Sequence, residues 1–311
     1  MAILDTITKG ILQQIDPKGF LQQGAFNLRY NGSSLCHGDS EHVKIVRKKD
    51  KPGIDVYIDA GARGEQVHIP VVLSASGMVD IVYNDFYVAD GAEVTIVSGC
   101  GIHNTGCDEA RHDGIHAFHI GKNCIVRYEE KHYGEGEGTG KRILNPVTQA
   151  EVGEGSVLYL DTAQIKGVDS TVRKTEIDLG PDAKLNLTER LMTHDNQIAQ
   201  TDMEVRLNGE NSSAQLVSRS VAQGRSRQIF HPRAVGKNKC KAHIQCDSIL
   251  MDGAEVASIP EIDAKHLDAA IIHEAAIGKI AGINDEQLLK LRSLGLSEQE
   301  AENVIIEAFL Q

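Results

Sequence analysis

The sequence predicts a mainly β protein: a parallel β-helix (solenoid) core, with a short N-terminal helical segment before it and a C-terminal helical region after it. Three observations carry this. From about residue 43 the apolar residues fall on alternate positions, as in Val43 and Ile45, then Ile54, Val56 and Ile58, then Val67 and Ile69; a period of two is that of strands. A turn signal followed by an alternating strand then recurs as DGAEVTIV (90–97), GKNCIVRY (121–128), GEGSVLYL (153–160), GPDAKLNL (180–187), GENSSAQL (209–216) and GKNKCKAHI (236–244). The starts at 90, 121, 153, 180, 209 and 236 lie 31, 32, 27, 29 and 27 residues apart, and a near-constant unit of that length is the mark of a solenoid. Helical periodicity is missing from the same span, which disfavours leucine-rich and helical repeats. An antiparallel sandwich is the alternative all-β architecture.

Taken in order, residues 1–30 read as one or two short helices. Ile3, Leu4, Ile7 and Ile11 share a helical face, and Pro17 and Gly19 break the pattern. The chain divides into a helical and strand segment (1–75), the β-helix core (76–265) and a helical region (266–311). Between the repeats lie second strands, IVYNDFYV, TVRKTEIDL and MEVRLN, so each coil contributes strands to two faces. Near residue 266 the period changes again, to helices at 285–294 and 298–310. Asn284 with Gln287, and Ser297 with Glu300, read as N-caps with a side chain reaching back, and Gly295 stops the first helix. On the second, Ala301, Val304, Ile305, Ala308 and Phe309 form one apolar stripe. It either packs on the chain's own coils or docks a partner.

Composition narrows the function. The 311 residues carry 44 acidic and 32 basic side chains, a net charge of −12, which repels nucleic acid because non-specific binding needs Lys and Arg on phosphates. Cysteines 36, 100, 107, 124, 240 and 246 form no CxxC pair and no disulfide framework, as expected of a cytoplasmic protein with reduced thiols. The N-terminus lacks the basic and apolar regions of a signal peptide. The most apolar stretch, 269–283, is broken by His273, Glu274 and Lys279 and is unfit to span a bilayer.

Several chemistries fail on their motifs. GEGEGTGKR (134–142) is not a phosphate loop: Glu135 stands where glycine is required and Arg142 where Ser or Thr is required. Any ATP-driven step belongs to another subunit. The HEAAI at 273–277 lacks the second histidine of a zinc peptidase, and no G-x-S-x-G elbow occurs. Cys100, His103 and Cys107 offer three zinc donors at a spacing that matches no tight structural zinc pattern; a passage for sulfur lined by this Cys/His-rich region is a second reading. There remain Cys246, next to Asp247, and His273-Glu274 among Ile271, Ile272, Ala275 and Ala276. Such donors in apolar surroundings need partners, and a metal or metal cluster would satisfy all three. The plain alternative is a core thiol and a solvated His-Glu pair. Cys240 and His243 nearby read as structural.

The wording of this region adds to the residue chemistry. QCDSILM, IPEIDA, IHEAAIGKI and EQLLKLRSLGLSEQEAENVIIEAF, with SRSVAQGRSRQIF (218–230), STVRKTEIDL (170–179) and GCGIHNTGC (99–107) upstream, resemble the SufB/SufD family of iron–sulfur cluster assembly scaffolds. The likeness runs from about residue 80 onward and is nearest to SufB and the short archaeal-type scaffolds. It implies a β-helix, a transient iron–sulfur cluster, no catalytic activity of the chain's own, and recipient apoproteins. It implies a SufC-type ABC ATPase as partner, with the C-terminal helices as its dock. It further implies Cys246 and Glu274 as cluster ligands, and for His273 the histidine that SufD supplies. SufB and SufD are normally two chains, whereas here one chain carries Cys, His and Glu, so a homodimer is expected, joined near residues 240–262. The competing functions are a cofactor-free assembly protein and a carbohydrate-active β-helix enzyme. The second sits poorly with no Trp and 4% aromatic residues. Mixing a thiolate with harder imidazole and carboxylate donors suits a scaffold that must release its cluster.

Overall fold

A computed structural model of the chain describes residues 4–17, 19, 24–279 and 286–310. It is a β-solenoid of about eight turns with a few helices at its two ends. Two sheets, one of ten strands and one of eleven among the described residues, face each other across the core. Each coil places one strand in each sheet, and successive coils pair in parallel register, as in Lys184–Thr193 on Ser212–Ala222 and Ser170–Leu179 on Ile198–Leu207. Alternation fixes which side chains enter: in Ile198–Leu207 every second residue is buried, Ala199, Thr201, Met203, Val205 and Leu207.

The recurring turn signals form a vertical stack. Gly91, Asn123, Gly155, Asp182 and Asn211 each adopt a left-handed backbone, with φ between +53° and +76°. The N–H of each donates to a carbonyl of the next coil, Gly91 to Lys122, Asn123 to Glu154, Gly155 to Pro181, Asp182 to Glu210 and Asn211 to Lys239, at 2.7–2.9 Å. Glycine, asparagine and aspartate are the residues that reach this conformation at least cost. The composition of the repeat is therefore set by its corner.

Two parts of the chain depart from the expected elements. Helix α1 (Thr6–Ile15), capped by Asp5 accepting from the Thr8 N–H, buries Thr8, Ile11, Leu12 and Ile15 and leaves Ile7 exposed; Ile3 lies outside the described residues. It seats on glycines: a Cβ on Gly101 would fall 2.1 Å from Ile11, and one on Gly99 2.6 Å from Ile15. Residues 25–30 are not helical but a strand, Ala25–Tyr30, pairing in parallel with Arg63–Leu73. Both sheets thus run into the first 75 residues, the second through Gly53–Ile58 on Val79–Val88. At the other end the period does not turn helical at 266. Ala269–Lys279 is a strand, in parallel register with Cys240–Leu250, and it is the edge of the ten-stranded sheet.

Helices α2 (Glu286–Ser293) and α3 (Glu298–Leu310) follow. The Ser297–Glu300 box forms, with the Ser297 N–H donating to Glu300 at 2.8 Å and the Glu300 N–H to the Ser297 hydroxyl at 3.3 Å. The Asn284–Gln287 cap lies outside the described residues, since Asn284 is not placed and nothing is described of the Gln287 side chain. The buried face is not the expected stripe. Ile306 and Leu310, outside it, are buried with Val221 and Met251 of the coil, while of the stripe only Ala301 is buried, Ile305 and Phe309 are half-buried and Val304 and Ala308 stay exposed.

Candidate functional site at the open end of the coil

Cys240–Leu250 alternates strictly up to Ser248: Cys240, Ala242, Ile244, Cys246 and Ser248 point into the coil, and Lys241, His243, Gln245 and Asp247 point out. Cys246 is 1% exposed, with Sγ 3.9 Å from the Ser248 hydroxyl. Burial pushes its thiol up, and the hydroxyls of Ser258 and Ser248 draw it partly back. The edge strand repeats the alternation. Ile244 registers with His273, Gln245 with Glu274 and Cys246 with Ala275. His273 is therefore on the inner face, diagonal to Cys246. Its Nε2 is buried without a hydrogen-bond partner, and desolvation holds its pKa below the ordinary imidazole value against the Glu274 charge.

Glu274 is on the other side of the sheet. Its carboxylate accepts from His243 Nε2 at 2.6 Å, on the solvent face. The structure thus brings Cys246 and His273 to one face of the last coil, and Glu274 with His243 to the opposite face. Within one chain the three expected ligands do not converge, and no cluster of three or more His, Cys, Asp or Glu among the described residues is arranged to hold a metal ion. Of the three, Cys246 and His273 alone share the inner face of the last coil.

The zinc reading of Cys100, His103 and Cys107 has no geometric support. Cys100 is buried in the coil, while His103, on the other face of the strand, bonds Glu135 at 3.1 Å and Cys107 is exposed in a loop. Cys100 instead meets residues that no linear spacing pairs with it. It registers with His132 on the next coil, and His112 approaches from the opposite sheet. Burial raises the Cys100 pKa, but the charges and hydrogen bonds of His112 and His132 outweigh it and lower the value to about 7. His112 is drawn up to about 10, since the Cys100 charge and Asp80, 3.0 Å from its Nδ1, overcome desolvation. The coil thus sets a buried thiol between two imidazoles, one of them with an aspartate behind it.

A polar row leads from this thiol toward Cys246. Ser98, Glu130, Thr162, Glu189, Ser218 and Cys246 occupy one register line, one residue per coil, all buried. His132 lies 3.6 Å from Glu130, Arg173 bridges Glu130 at 2.5 Å and Glu189 at 3.6 Å, and the Ser218 hydroxyl donates to Glu189 at 3.0 Å. A buried charge stripe of this kind is costly to keep without its partners. Five strand spacings separate the two cysteines' coils, about 24 Å at roughly 4.8 Å each.

Residues 72–309 match the family described as "SUF system FeS cluster assembly, SufBD core domain". A SufBD family protein of Methanocaldococcus jannaschii is 27% identical over 246 residues, covering 78% of this chain and 76% of that protein. One from Archaeoglobus fulgidus is 25% identical over 273 residues, 86% of this chain and 71% of its own length. A chloroplastic SufBD family protein of Arabidopsis thaliana is 24% identical over 229 residues, 71% of this chain and 40% of that protein. With the family match spanning well over half of its length, the chain belongs to the SufBD core-domain family of the SUF iron–sulfur cluster assembly system.

Proposed function

We propose that this chain is a non-catalytic scaffold on which an iron–sulfur cluster is assembled as cargo and then passed to recipient apoproteins in the cytoplasm. The observation that carries the reading is the last coil, where Cys246 and the unpartnered His273 share an inner face one strand from a free edge. One soft and one hard donor leave a cluster under-coordinated and easy to release. The missing donors come from a second copy of the chain, paired along Ala269–Lys279 rather than near 240–262 because that strand covers Cys240–Leu250, with Glu274 entering the set as the edge rearranges. A SufC-type ABC ATPase supplies the energy and docks on α2 and α3, where Leu289, Leu294 and Val304 are exposed.

Anaerobic reconstitution with iron and sulfide, read by visible absorbance and iron content, tests this. Cys246→Ala abolishes the chromophore, Glu274→Ala and His273→Ala reduce it, and Cys36→Ala leaves it unchanged. Full occupancy in Cys246→Ala overturns the site. Cys100 and the buried polar row favour a second, compatible reading, in which inorganic sulfide, unchanged in oxidation state and bonded to no side chain on the way, passes inside the coil from Cys100 toward Cys246.

A further inference from the structure

The end of the coil opposite Cys246 opens on a cavity of about 290 Å³ that the assembly site does not use. The two sheets finish here on the edge strands Ser33–Gly38 and Val43–Arg47. Along Ala25–Tyr30, Asn27 and Arg29 follow Ala25 at alternate positions; both are buried, at 6% and 7%, and both line the cavity. Arg47 registers with the core residue Ile54 and so takes the inner face at the mouth, where it is exposed. The floor is apolar, made by Ile54, Ile69, Val71 and Val82.

The mouth is short of acid. Arg29, Arg47, Lys48 and Lys51 line it, and no carboxylate does. Two of these cations are answered from outside the cavity. Lys48 bridges Asp55 and, at 2.7 Å, Asp85. Arg29 meets Asp80 through Nε at 2.8 Å and Nη2 at 2.5 Å, and Nη2 also donates to the Gly32 carbonyl. Its Nη1 has no partner among the described residues, and neither has the Nδ2 of Asn27, whose Oδ1 accepts from the Ser34 hydroxyl at 2.6 Å. The other two cations have no acidic partner among the described residues. Arg47 donates only to the Ser34 carbonyl and hydroxyl, at 3.3 and 3.2 Å, and the Lys51 ammonium lies 4.5 Å from the centre of the Tyr83 ring. Asp50, beside Lys51 in the turn, is exposed and does not line the cavity.

Two buried donors and two unneutralised cations thus surround one concave space with an apolar floor. A buried donor without an acceptor is costly, and guanidinium groups are matched best by the paired oxygens of a carboxylate or phosphate. We propose that the mouth of the coil binds a small organic oxyanion, its phosphate or carboxylate head held by Arg29, Arg47 and Lys51 and its short apolar body lying on the isoleucine and valine floor. The volume sets the size, since it is at the lower limit for small-molecule sites. A cation is repelled, and a neutral molecule leaves Arg47 and Lys51 without a counter-charge. The site is at the far end of the molecule from Cys246 and is independent of the cluster-scaffold reading.

The test is calorimetric titration of the full chain with butyl phosphate, butyrate, inorganic phosphate and butylammonium. Butyl phosphate and butyrate bind saturably at one site per chain, and the tighter of the two names the head group. Inorganic phosphate binds more weakly than butyl phosphate, butylammonium gives no binding heat, and added salt weakens both organic anions. Arg47→Gln and Lys51→Gln, both at exposed positions, each weaken the tighter anion by about threefold to tenfold. Lys44→Gln, on the outer face of the same edge strand, leaves it unchanged, and circular dichroism shows that all three variants fold. Failure of both organic anions to bind, binding of butylammonium, inorganic phosphate as tight as butyl phosphate, or an affinity unchanged in Arg47→Gln would each overturn the proposal.

Discussion

At the scale of single residues, Cys100 is defined by what the coil sets beside it. A buried thiol alone is pushed toward protonation, yet His112, held by Asp80, and His132, held by Glu130, bring its pKa to about 7. Thiolate ultraviolet absorbance should show a step centred near pH 7 in the native protein that disappears in Cys100→Ser. In Asp80→Asn the His112 imidazolium loses its carboxylate, and the step should move up in pH. Stability follows the same linkage. Asp80 is held well below the carboxylate range: burial opposes this, but Arg29 and His112 win. Its contribution is present at neutral pH and lost as pH falls through the acid range. His112, raised to about 10, contributes fully below the ordinary imidazole pKa and loses that contribution as pH rises through about 10. The Cys100 contribution grows as pH rises from about 7 toward the ordinary thiol value and offsets the His112 loss over that range, so thermal melts should vary little just above neutrality and fall at both extremes, with a shallower acid limb in Asp80→Asn. An acid limb as steep in the variant as in the native protein would remove Asp80 from the account. Only the Cys/His-rich stretch holding Cys100 and His112 was legible in the sequence, and not which of its residues meet. Cys100, Glu130, Arg173 and Glu189 are brought together only by the pitch of the coil, and their nearest linear neighbours point to the other face.

At the scale of elements, the sequence was legible where burial enforces alternation and where the corners demand a left-handed residue. Ser170–Leu179 and Lys184–Thr193 are of the first kind, the Asn123–Asp182–Asn211 stack of the second. It was illegible at the edge. Ala269–Lys279 has four alanines, weak alternation and largely exposed positions on both sides; its composition favours helix, and only pairing with Cys240–Leu250 makes it a strand. The mistake mattered for the site, because a helix would have set His273 and Glu274 about 100° apart, whereas a strand sends them to opposite faces. The C-terminal stripe was misplaced for a related reason: with Val304, Ile305, Ile306, Ala308, Phe309 and Leu310 all apolar, a 3.6-residue period fits more than one face, and the coil buries the one carrying Ile306 and Leu310. Substitution separates the two roles of α3. Ile306→Ala removes a buried contact with the coil and should cost about 2–4 kcal/mol of stability, read by denaturant unfolding. Val304→Glu, on the exposed side, should leave stability within about 0.5 kcal/mol but weaken pull-down of the ATPase. If Val304→Glu binds the ATPase normally, the dock lies off this helix.

At the scale of the whole molecule, the solenoid has a problem that its ends must solve. Each internal strand satisfies its backbone on the coils above and below, but Ala269–Lys279 has a neighbour on one side only among the described residues. A free edge invites a second chain. Little on this strand discourages one: it has no proline and a single lysine, at its last position, Lys279, and Ile272 and Ile277 are exposed on its two faces at 60% and 46%. Pairing two such edges about a two-fold axis would satisfy both and cover these isoleucines. It would also set two Cys246–His273 half-sites on either side of one seam, which answers the shortage of ligands in a single chain. A seam of this kind lets an ATPase on each C-terminus act mechanically, since straining the paired edge loosens every ligand at once. Light scattering should then give twice the monomer mass for the native chain. Ile272→Lys with Ile277→Lys places like charges on both faces of the edge and should yield a monomer that keeps its β-rich circular dichroism and fails to retain a reconstituted cluster. Cysteine cross-linking between copies at position 246 should be lost in parallel. A dimer that survives the double substitution would put the interface elsewhere, and a native monomer at cluster-loading concentrations, with or without the ATPase, would end the shared-site mechanism.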